Sequence, residues 1–169
     1  MSNSPKFFKY FAYGSNLCCE RLRLANPTAV FVTVACLPDY ELQFRGPVGA
    51  WLGSPATIIN KTNSYVYGAI YSLSMDDSAS LDKQESLYDR IEIAVTGRDG
   101  KLHHCRTYQM PPPLVSILGS PSPHYKHVIL CGAREHDLPS DYIAKLEAVP
   151  DNGARGTVPF KLEVLEHFQ

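Results

Sequence analysis

The sequence predicts an α+β protein in which a curved or closed β-sheet has helices packed on one side. Two observations favour this class. β-favouring runs separated by glycine and proline turns fill most of the first half of the chain, and helix-starting patterns interrupt and follow them. Strands of unequal length combined with three or four helices are typical of α+β proteins. With 169 residues and 44% hydrophobic content, the chain has enough apolar side chains for one core, so we predict a single domain over residues 1–169.

The first half of the chain is predicted to be mostly sheet. Residues 7–12 form an aromatic run that predicts the first strand, and residues 17–24 predict a short amphipathic helix. Asn26-Pro27 ends that helix, because proline disfavours the helical conformation at the residue before it. Further strands are predicted, on alternation or β-rich composition, over residues 30–37, 40–44, 56–60 and 65–73.

A helix is predicted over about residues 75–85, and strands return after it. Ser74 has the position of an N-cap and Asp77 follows it by three residues, a spacing typical of a helix start. Strands are then predicted over residues 91–96 and 102–110, joined by a hairpin turn at 97–100.

The last third of the chain is predicted to be a loop followed by two helices. Residues 111–123 are rich in proline but also hold aliphatic side chains, so we predict a packed loop within the same domain. Ser122 and Pro123 have the pattern of an N-cap and a first helical residue, which predicts a helix that ends near Glu135. A second helix is predicted over residues 139–149.

Charge, hydrophobic pattern and cysteine content indicate which kind of ligand and which cellular location to expect. Sixteen basic and seventeen acidic side chains give a net charge of −1, and without a basic run we expect no nucleic-acid partner. No apolar stretch is long enough to span a bilayer, and residues 1–6 lack the apolar core of a secretory signal. The five cysteines form no CxxC pair, which suits reduced thiols. We therefore predict a cytoplasmic protein with a small-molecule ligand.

The most informative stretch is YFAYGSNL at residues 10–17, where an aromatic strand ends in a small polar turn before a helix-like segment. Such a turn lets a ligand approach the backbone, and free N–H groups at the next helix start favour anions. Gly-Ser-Asn is also ordinary turn chemistry, and on spacing alone that is the simpler interpretation. A ligand site here would take a small carboxylate, and Gly14 would be required either by a positive φ or by close ligand approach.

Two motifs carry a resemblance to a known family, and the resemblance covers nearly the whole chain. YGSNL at residues 13–17 resembles the opening signature of the γ-glutamylcyclotransferase family, and LDKQE at residues 81–85 resembles its Leu-Asp-x-Gln-Glu signature. The resemblance implies a small mixed β-barrel flanked by helices, with the substrate cavity at one end. It implies that Glu85 is the catalytic acid/base. The loop residues that it implies for substrate binding are Tyr13, Gly14, Ser15, Asn16 and Leu17.

The resemblance also implies an activity. A γ-glutamyl amino acid carries an α-amine that attacks its own γ-carbonyl, which yields 5-oxoproline and the free amino acid. Because this acyl transfer is intramolecular, positioning supplies much of the rate, and neither a cofactor nor a metal is needed. The implied protein is a lyase of glutathione metabolism, and relatives are often homodimers. The Asn16-Leu17 ending is closer to the γ-glutamyl-amino-acid branch than to the glutathione-specific one, with γ-glutamylamines as alternative substrates.

Two tyrosines complete the implied site. Tyr88 precedes a strand as the family's tyrosine does, and Tyr125 lies in a segment that resembles the family's Ser-Pro-x-Tyr-x pattern. For both, a core tyrosine with a satisfied hydroxyl is nearly as good an interpretation. If the helix ends near Ser86, which stands where relatives commonly have glycine, Glu85 lies in its last turn. The helix dipole would then raise the pKa of Glu85. The stretch between Glu85 and Tyr88 is also shorter than in the animal enzyme of this family.

Three other interpretations stay open at the level of sequence. Cys18 and Cys19 follow the YGSNL loop at a predicted helix start, where thiol pKa values are lowered, so a cysteine amidohydrolase is a rival. A shared helix face holds His124, His127 and Cys131, a partial zinc set that lacks a fourth ligand. The third interpretation is a binding module that keeps the fold without turnover.

Overall fold

The structure is a computed structural model that describes residues 6–168, which form a closed five-stranded β-barrel with helices around it. The strands are β1 (Phe7–Ala12), β2 (Val30–Phe44), β3 (Ala56–Ser74), β4 (Asp89–Gly97) and β5 (Leu102–Gln109). The α-helices are α1 (Cys19–Arg23), α2 (Ser78–Gln84), α3 (Pro112–Val115), α4 (Pro123–Glu135) and α5 (Ser140–Glu147). Short 3-10 turns cover Ser15–Leu17, Met75–Asp77 and Glu163–Leu165.

The barrel is mixed, and its one parallel pairing closes it. The strand order is β1-β3-β2-β4-β5, with antiparallel pairing at each of these steps. β5 then returns to β1 through a parallel contact between Arg106 and Tyr10. The predicted α+β class and the small mixed barrel implied by the family resemblance are both confirmed.

The long strands β2 and β3 correct the predicted division of this region into four shorter strands. β2 joins the predicted strands at 30–37 and 40–44, and its pairing with β3 shifts register between Pro38 and Tyr40. Asp39 takes a φ of 62° at this shift, and Asp39 Oδ1 accepts a hydrogen bond from the backbone nitrogen of Asn63 at 3.1 Å. Residues typical of turns therefore sit inside one long hairpin as a bulge.

The predicted helix starts are confirmed, with one difference in detail. Ser122 Oγ accepts a hydrogen bond from the backbone nitrogen of Tyr125 at 3.1 Å at the start of α4. Ser74 likewise accepts from the nitrogen of Asp76. Asp77 does not complete this cap; its carboxylate instead accepts a hydrogen bond from the backbone nitrogen of Thr28. The predicted helix at 17–24 is shorter, because a 3-10 turn takes its first residues.

The proline-rich segment is attached to the barrel mainly through its backbone. Arg45 forms an isolated β-bridge with Leu118, and Gly46 donates its backbone N–H to the carbonyl of Ile117 at 2.9 Å. The side chains of Ile117 and Leu118 are exposed. The segment is attached to the barrel as predicted, but Ile117 and Leu118 do not pack, and the predicted irregular loop contains the short helix α3.

Helix α4 holds the chain that leaves β1. A Cβ atom on Gly132 would lie 2.4 Å from the backbone nitrogen of Cys18 and 2.4 Å from the carbonyl carbon of Leu17. Only glycine lets the two segments approach this closely. The contact fixes the loop after β1 against the helix layer.

Within residues 6–168, no helix combines the length and the apolar character that crossing a membrane requires.

Candidate active site

A cavity of about 230 Å³ lies at the end of the barrel where β1 stops and β3 begins. Its walls come from the loop at residues 13–16, from Arg21 of α1, from parts of the segment 47–56 and from Glu85 at the end of α2. The cavity therefore joins residues that are far apart in the sequence. Barrel closure and the glycine contact with α4 bring them together.

The loop after β1 presents backbone donors. Leu17 and Cys18 donate their N–H groups to the carbonyls of Gly14 and Ser15, which forms a 3-10 turn. Within residues 6–168, the N–H groups of Gly14, Ser15 and Asn16 make no hydrogen bond. Such unpaired N–H groups at the start of a helical turn favour an anion.

Gly14 lines the cavity and does not have a positive φ. Its φ is −112°, so the positive φ that the sequence left open is wrong. A Cβ atom built there would lie 3.4 Å from Tyr125 Oη and 3.5 Å from Ala56 Cβ, both ordinary contacts. One methyl group fits, and the two further methyl groups of a β-branched side chain would project beyond it at the cavity wall.

Glu85 lies directly after the last residue of α2. Its backbone nitrogen donates to the carbonyl of Leu81 at 3.0 Å, and its Oε1 accepts a hydrogen bond from Asn16 Nδ2 at 3.1 Å. Burial of the carboxyl group raises the pKa of Glu85 to about 7, and the positive charge of Arg21 opposes part of that rise. The predicted position at the helix end is confirmed, but desolvation is the largest cause of the raised pKa.

A chain of side-chain amides orients Asn16 toward Glu85. Asn26 Nδ2 donates to Gln84 Oε1 at 3.0 Å, and Gln84 Nε2 donates to Asn16 Oδ1 at 2.8 Å. Asn16 then donates from Nδ2 to Glu85 and, at 3.1 Å, to the hydroxyl of Tyr10. Each amide nitrogen faces the next acceptor, so the carboxylate receives a donor held in one orientation.

Three predicted tyrosines line the cavity with their rings, and their hydroxyl groups are engaged by backbone. Tyr125 Oη accepts from the nitrogen of Ala56 at 2.9 Å, and Tyr88 Oη donates to the carbonyl of the same residue at 2.7 Å. Tyr13 donates to the carbonyl of Tyr108. Burial raises the pKa of all three phenols. They therefore shape the wall as neutral rings at neutral pH.

Leu17 is a correction to the predicted set of binding residues. Its side chain is fully buried in the hydrophobic core and does not line the cavity. Its carbonyl accepts a hydrogen bond from the hydroxyl of Tyr71 at 2.9 Å. Leu17 therefore anchors the turn to the core, while Ser15 and Asn16 before it face the cavity.

Sequence reasoning missed an aromatic and cationic wall. The Cζ atom of Arg21 lies 4.3 Å from the ring centre of Phe160 and 5.7 Å from that of Trp51, and all three residues line the cavity. They come from α1, from the turn between β2 and β3, and from the C-terminal segment. No local motif links them. The available signals were the single tryptophan and the unusual place of an arginine just after the YGSNL loop.

The two cysteines after the loop are not activated thiols. Cys18 is buried, and desolvation raises its pKa to about 11. Burial also raises the pKa of Cys19, and neither residue lines the cavity. The predicted lowering of thiol pKa values is therefore wrong. The cause is burial, which outweighs the effect of a helix only five residues long.

The partial zinc set does not assemble. Cys131 Sγ lies 3.4 Å from His127 Nε2, and that same nitrogen also lies 2.8 Å from the carbonyl of Val164. His124 is buried beside the ring of Phe168. In the part of the chain that the structure describes, no three His, Cys, Asp or Glu side chains are grouped so that they could hold a metal ion.

Comparison with known proteins identifies relatives over nearly the whole chain. Residues 65–146 match the model of the AIG2-like family. The γ-glutamylcyclotransferase of Bos taurus is 41% identical over 96% of this chain and 89% of its own length. That of Mus musculus is 41% identical over 92% of this chain and 86% of its own.

A solved structure named γ-glutamyl cyclotransferase matches the fold closely. It superposes with a TM-score of 0.86 at 38% identity and covers 90% of this chain and 94% of its own. Sequence identity of this extent over most of both chains shows the family. The chain belongs to the γ-glutamylcyclotransferase family.

Proposed function

We propose that this protein is a γ-glutamylcyclotransferase that converts γ-glutamyl amino acids into 5-oxoproline and the free amino acid. One observation carries the proposal: the carboxyl group of Glu85 lies at the cavity wall, with a pKa of about 7, near backbone donors that suit an anion. A group of that pKa takes and returns a proton near neutral pH. The names of the relatives agree with this activity.

The reaction begins with the α-amine of the substrate. At neutral pH it is an ammonium group, and Glu85 as carboxylate removes a proton from it. The freed amine attacks the γ-carbonyl carbon of the same molecule, which forms the new C–N bond of a five-membered lactam. The carbonyl oxygen becomes an oxyanion. Because both reacting groups belong to one bound molecule, holding them in contact replaces a bimolecular encounter.

The second half of the reaction returns the proton. The oxyanion collapses to a carbonyl, the bond to the leaving nitrogen breaks, and Glu85 donates its proton to that nitrogen. The ring nitrogen, which carries two hydrogens and a positive charge after the attack, gives its extra proton to the Glu85 carboxylate. Glu85 passes that proton to the departing amine, so the amino acid leaves with an ammonium group and Glu85 is a carboxylate again. One carboxyl group therefore serves as base and then as acid. No covalent bond to the protein forms, which agrees with the raised pKa of Cys18 and Cys19.

We assign substrate anchoring to the loop at residues 13–16. The unpaired N–H groups of Gly14, Ser15 and Asn16 suit the α-carboxylate of the γ-glutamyl group. Asn16 has a second role through its side chain, which donates to Glu85 and holds the carboxylate toward the cavity. The rings of Tyr13, Tyr88 and Tyr125 exclude water around the reacting atoms.

The cytoplasmic location, the place in glutathione metabolism and the homodimer stay predictions. All five cysteines are free thiols, as expected for a reducing compartment. Light scattering of the purified protein tests the dimer: a mass near 18.8 kDa would indicate a monomer, and twice that value a dimer.

The activity is tested by incubating the purified protein with γ-glutamyl-alanine and quantifying 5-oxoproline and alanine. We expect both products in equal amounts. Release of glutamate with alanine would instead indicate hydrolysis, which is the outcome for an amidohydrolase. Binding of the dipeptide without any product would indicate a binding module. Parallel reactions with γ-glutamyl-ε-lysine and with glutathione separate the γ-glutamylamine and glutathione alternatives.

A further inference from the structure

Arg21 is a buried cation without a protein partner. Its exposed fraction is 8%, and its Nε atom is fully buried and makes no hydrogen bond. Within residues 6–168 its guanidinium group forms no ion pair with any carboxylate, and it lines the cavity. A buried charge without a partner is costly in free energy. Such a group in a cavity wall indicates a place where an anionic ligand completes the structure.

The aromatic neighbours hold this cation without using its donors. The ring of Phe160 lies 4.3 Å and that of Trp51 lies 5.7 Å from Cζ of Arg21. Cation–π contacts of this kind stabilise the charge and fix the direction of the side chain. The N–H groups of the guanidinium remain available. An arginine presents several N–H groups in one plane, which matches the two oxygens of a carboxylate.

Glu85 is not the partner of Arg21. Oε1 of Glu85 accepts from Asn16, and the positive charge of Arg21 lowers the pKa of Glu85 by less than burial raises it. A direct ion pair would hold the carboxyl group ionised and leave it a weak acid for the leaving nitrogen. Within residues 6–168 no ion pair joins the two groups, although each shifts the pKa of the other across the cavity they share.

We propose that Arg21 binds the α-carboxylate of the leaving amino acid, so that the site selects γ-glutamyl-α-amino acids over γ-glutamylamines. The inference rests on the proposed function. A γ-glutamyl-α-amino acid has two carboxylates, and the backbone donors of the loop at residues 13–16 suit the one on the γ-glutamyl group. The second carboxylate is on the leaving group, and Arg21 is the buried, unpaired cation of the cavity wall that is left to receive it.

The test compares two substrates that differ only in that carboxylate. γ-Glutamyl-alanine and γ-glutamyl-ethylamide share the γ-glutamyl group and the carbon skeleton of the leaving group. For the wild-type protein we expect kcat/KM to be roughly 10- to 100-fold higher for the dipeptide, the range for a charge-assisted hydrogen-bonded pair. Both values are measured at a pH above the titration of Glu85, where its protonation does not limit either substrate. In Arg21→Met the ratio should fall close to one, because the change removes an interaction that only the dipeptide makes.

Arg23→Met is the matched control. Arg23 lies two residues further along α1, is exposed, and donates to the carbonyl of Ala29 instead of facing the cavity. The ratio of kcat/KM values should keep its wild-type size in this variant. Arg21→Lys keeps the charge but loses the planar donor set, so an intermediate ratio is expected.

Each other outcome contradicts the inference in a recognisable way. If Arg21→Met keeps the wild-type ratio, or lowers kcat/KM equally for both substrates, Arg21 does not recognise the leaving group. If Arg21→Met fails to fold, Arg21→Lys decides: a ratio well below that of the wild-type protein supports the inference, and an unchanged ratio contradicts it. Failure of the wild-type protein to form 5-oxoproline from either substrate refutes the proposed function itself.

Discussion

Gln84 Nε2 donates a hydrogen bond to Asn16 Oδ1 at 2.8 Å, and this bond decides which atom of the Asn16 amide faces Glu85. With Oδ1 engaged, Nδ2 is turned toward the carboxylate oxygen of Glu85 at 3.1 Å. Asn26 Nδ2 donates to Gln84 Oε1, which holds the Gln84 amide with its Nε2 toward Asn16. Gln84, which has no part in the proposed proton transfer, thereby determines that Glu85 receives an N–H donor from Asn16.

Replacement of Gln84 should slow catalysis through Asn16. Gln84→Met removes the donor and leaves the Asn16 amide free to rotate, and we expect kcat to fall roughly 3- to 10-fold, the worth of one hydrogen bond. Gln84→Glu should lower kcat further. The new carboxylate attracts Nδ2 of Asn16, so Oδ1 of Asn16 turns toward the carboxylate of Glu85 and no longer offers it a donor. Steady-state kinetics with γ-glutamyl-alanine measure both effects.

Lys83→Gln is the control for this pair of variants, since Lys83 is the exposed neighbour of Gln84 and lies outside the cavity. It should keep the wild-type kcat. Equal kcat values for Gln84→Met and the wild-type protein would show that the amide chain does not position Asn16.

Glu85→Gln should fold normally and lose roughly 10²- to 10⁴-fold in kcat, the range for a positioned acid/base. The amide keeps the shape of the side chain, and its oxygen still accepts from Asn16, but it takes no proton from the substrate. Substrate binding should survive. Rates of 5-oxoproline formation and equilibrium binding of γ-glutamyl-alanine measure the two effects separately.

Glu92→Gln provides the matched control, because Glu92 is exposed on β4 and remote from the cavity lining. The same loss of one negative charge at that position should leave kcat unchanged. More than about a tenth of wild-type turnover in Glu85→Gln would refute the assignment of Glu85 as the acid/base, given the range expected for that role.

The pH dependence of kcat/KM should report the buried carboxyl group. Glu85 must be ionised to accept the first proton, so kcat/KM should fall as the pH drops below about 7, by about tenfold per pH unit. We call this acidic fall in kcat/KM the limb of the profile. If Glu85 had the pKa of an ordinary glutamate, the limb would lie near pH 4.3. In Arg21→Met the limb should move to higher pH, since the charge of Arg21 lowers the pKa of Glu85.

A full pH profile from about 3 to 9 for the two proteins covers both the expected limb and that of an ordinary glutamate. A wild-type limb near pH 4 would mean that the essential group is an ordinary exposed carboxyl. An unchanged limb in Arg21→Met would mean that Arg21 does not act electrostatically on the titrating group.

The sequence located those parts of the cavity that lie in contiguous motifs. YGSNL supplies the turn after β1, and LDKQE supplies the end of α2, and both motifs reach the cavity because each lies at the end of a regular element. Leu17 shows the limit of this reasoning. It belongs to the motif, yet its side chain points into the core because a 3-10 turn separates neighbouring residues by a third of a rotation.

The opposite wall was beyond prediction from one sequence. Arg21, Trp51 and Phe160 meet only after the barrel closes and the C-terminal segment packs over α1. Local pattern makes Arg21 look like an exposed basic residue of a short helix. For the same reason the sequence divided β2 and β3, since Asp39 and Asn63 are typical of turns and only the tertiary pairing makes them part of a bulged hairpin.

Alanine substitution of Cys18 and Cys19, singly or together, should leave most activity intact. An intramolecular reaction needs no protein nucleophile, and burial holds both thiols protonated at neutral pH. Cys18→Ala should destabilise the fold by about 1 kcal/mol, because Cys18 packs against Val128 and Leu162. Turnover and thermal unfolding measure the two effects. A glutamyl thioester found on either cysteine by mass spectrometry would instead establish an amidohydrolase.

Two substitutions of Gly14 separate ligand access from folding. Gly14→Ala should be tolerated, since its Cβ would make only ordinary contacts with Tyr125 and Ala56. Gly14→Val should raise KM and lower kcat with a smaller effect on stability, because its extra methyl groups occupy space that the substrate needs near the backbone of Ser15. The φ of −112° at Gly14 gives no reason for a large loss of stability.

Thermal unfolding with and without 5-oxoproline provides the measurement, because a ligand that binds only the folded state raises Tm. The wild-type protein and Gly14→Ala should both gain Tm on addition of 5-oxoproline, whereas Gly14→Val should fold and gain little or nothing. The alanine variant separates the loss of glycine from the filling of the cavity. If folded Gly14→Val is protected as fully as the wild-type protein, the loop at residues 13–16 does not hold the γ-glutamyl group, and its backbone donors are ordinary turn groups open to solvent.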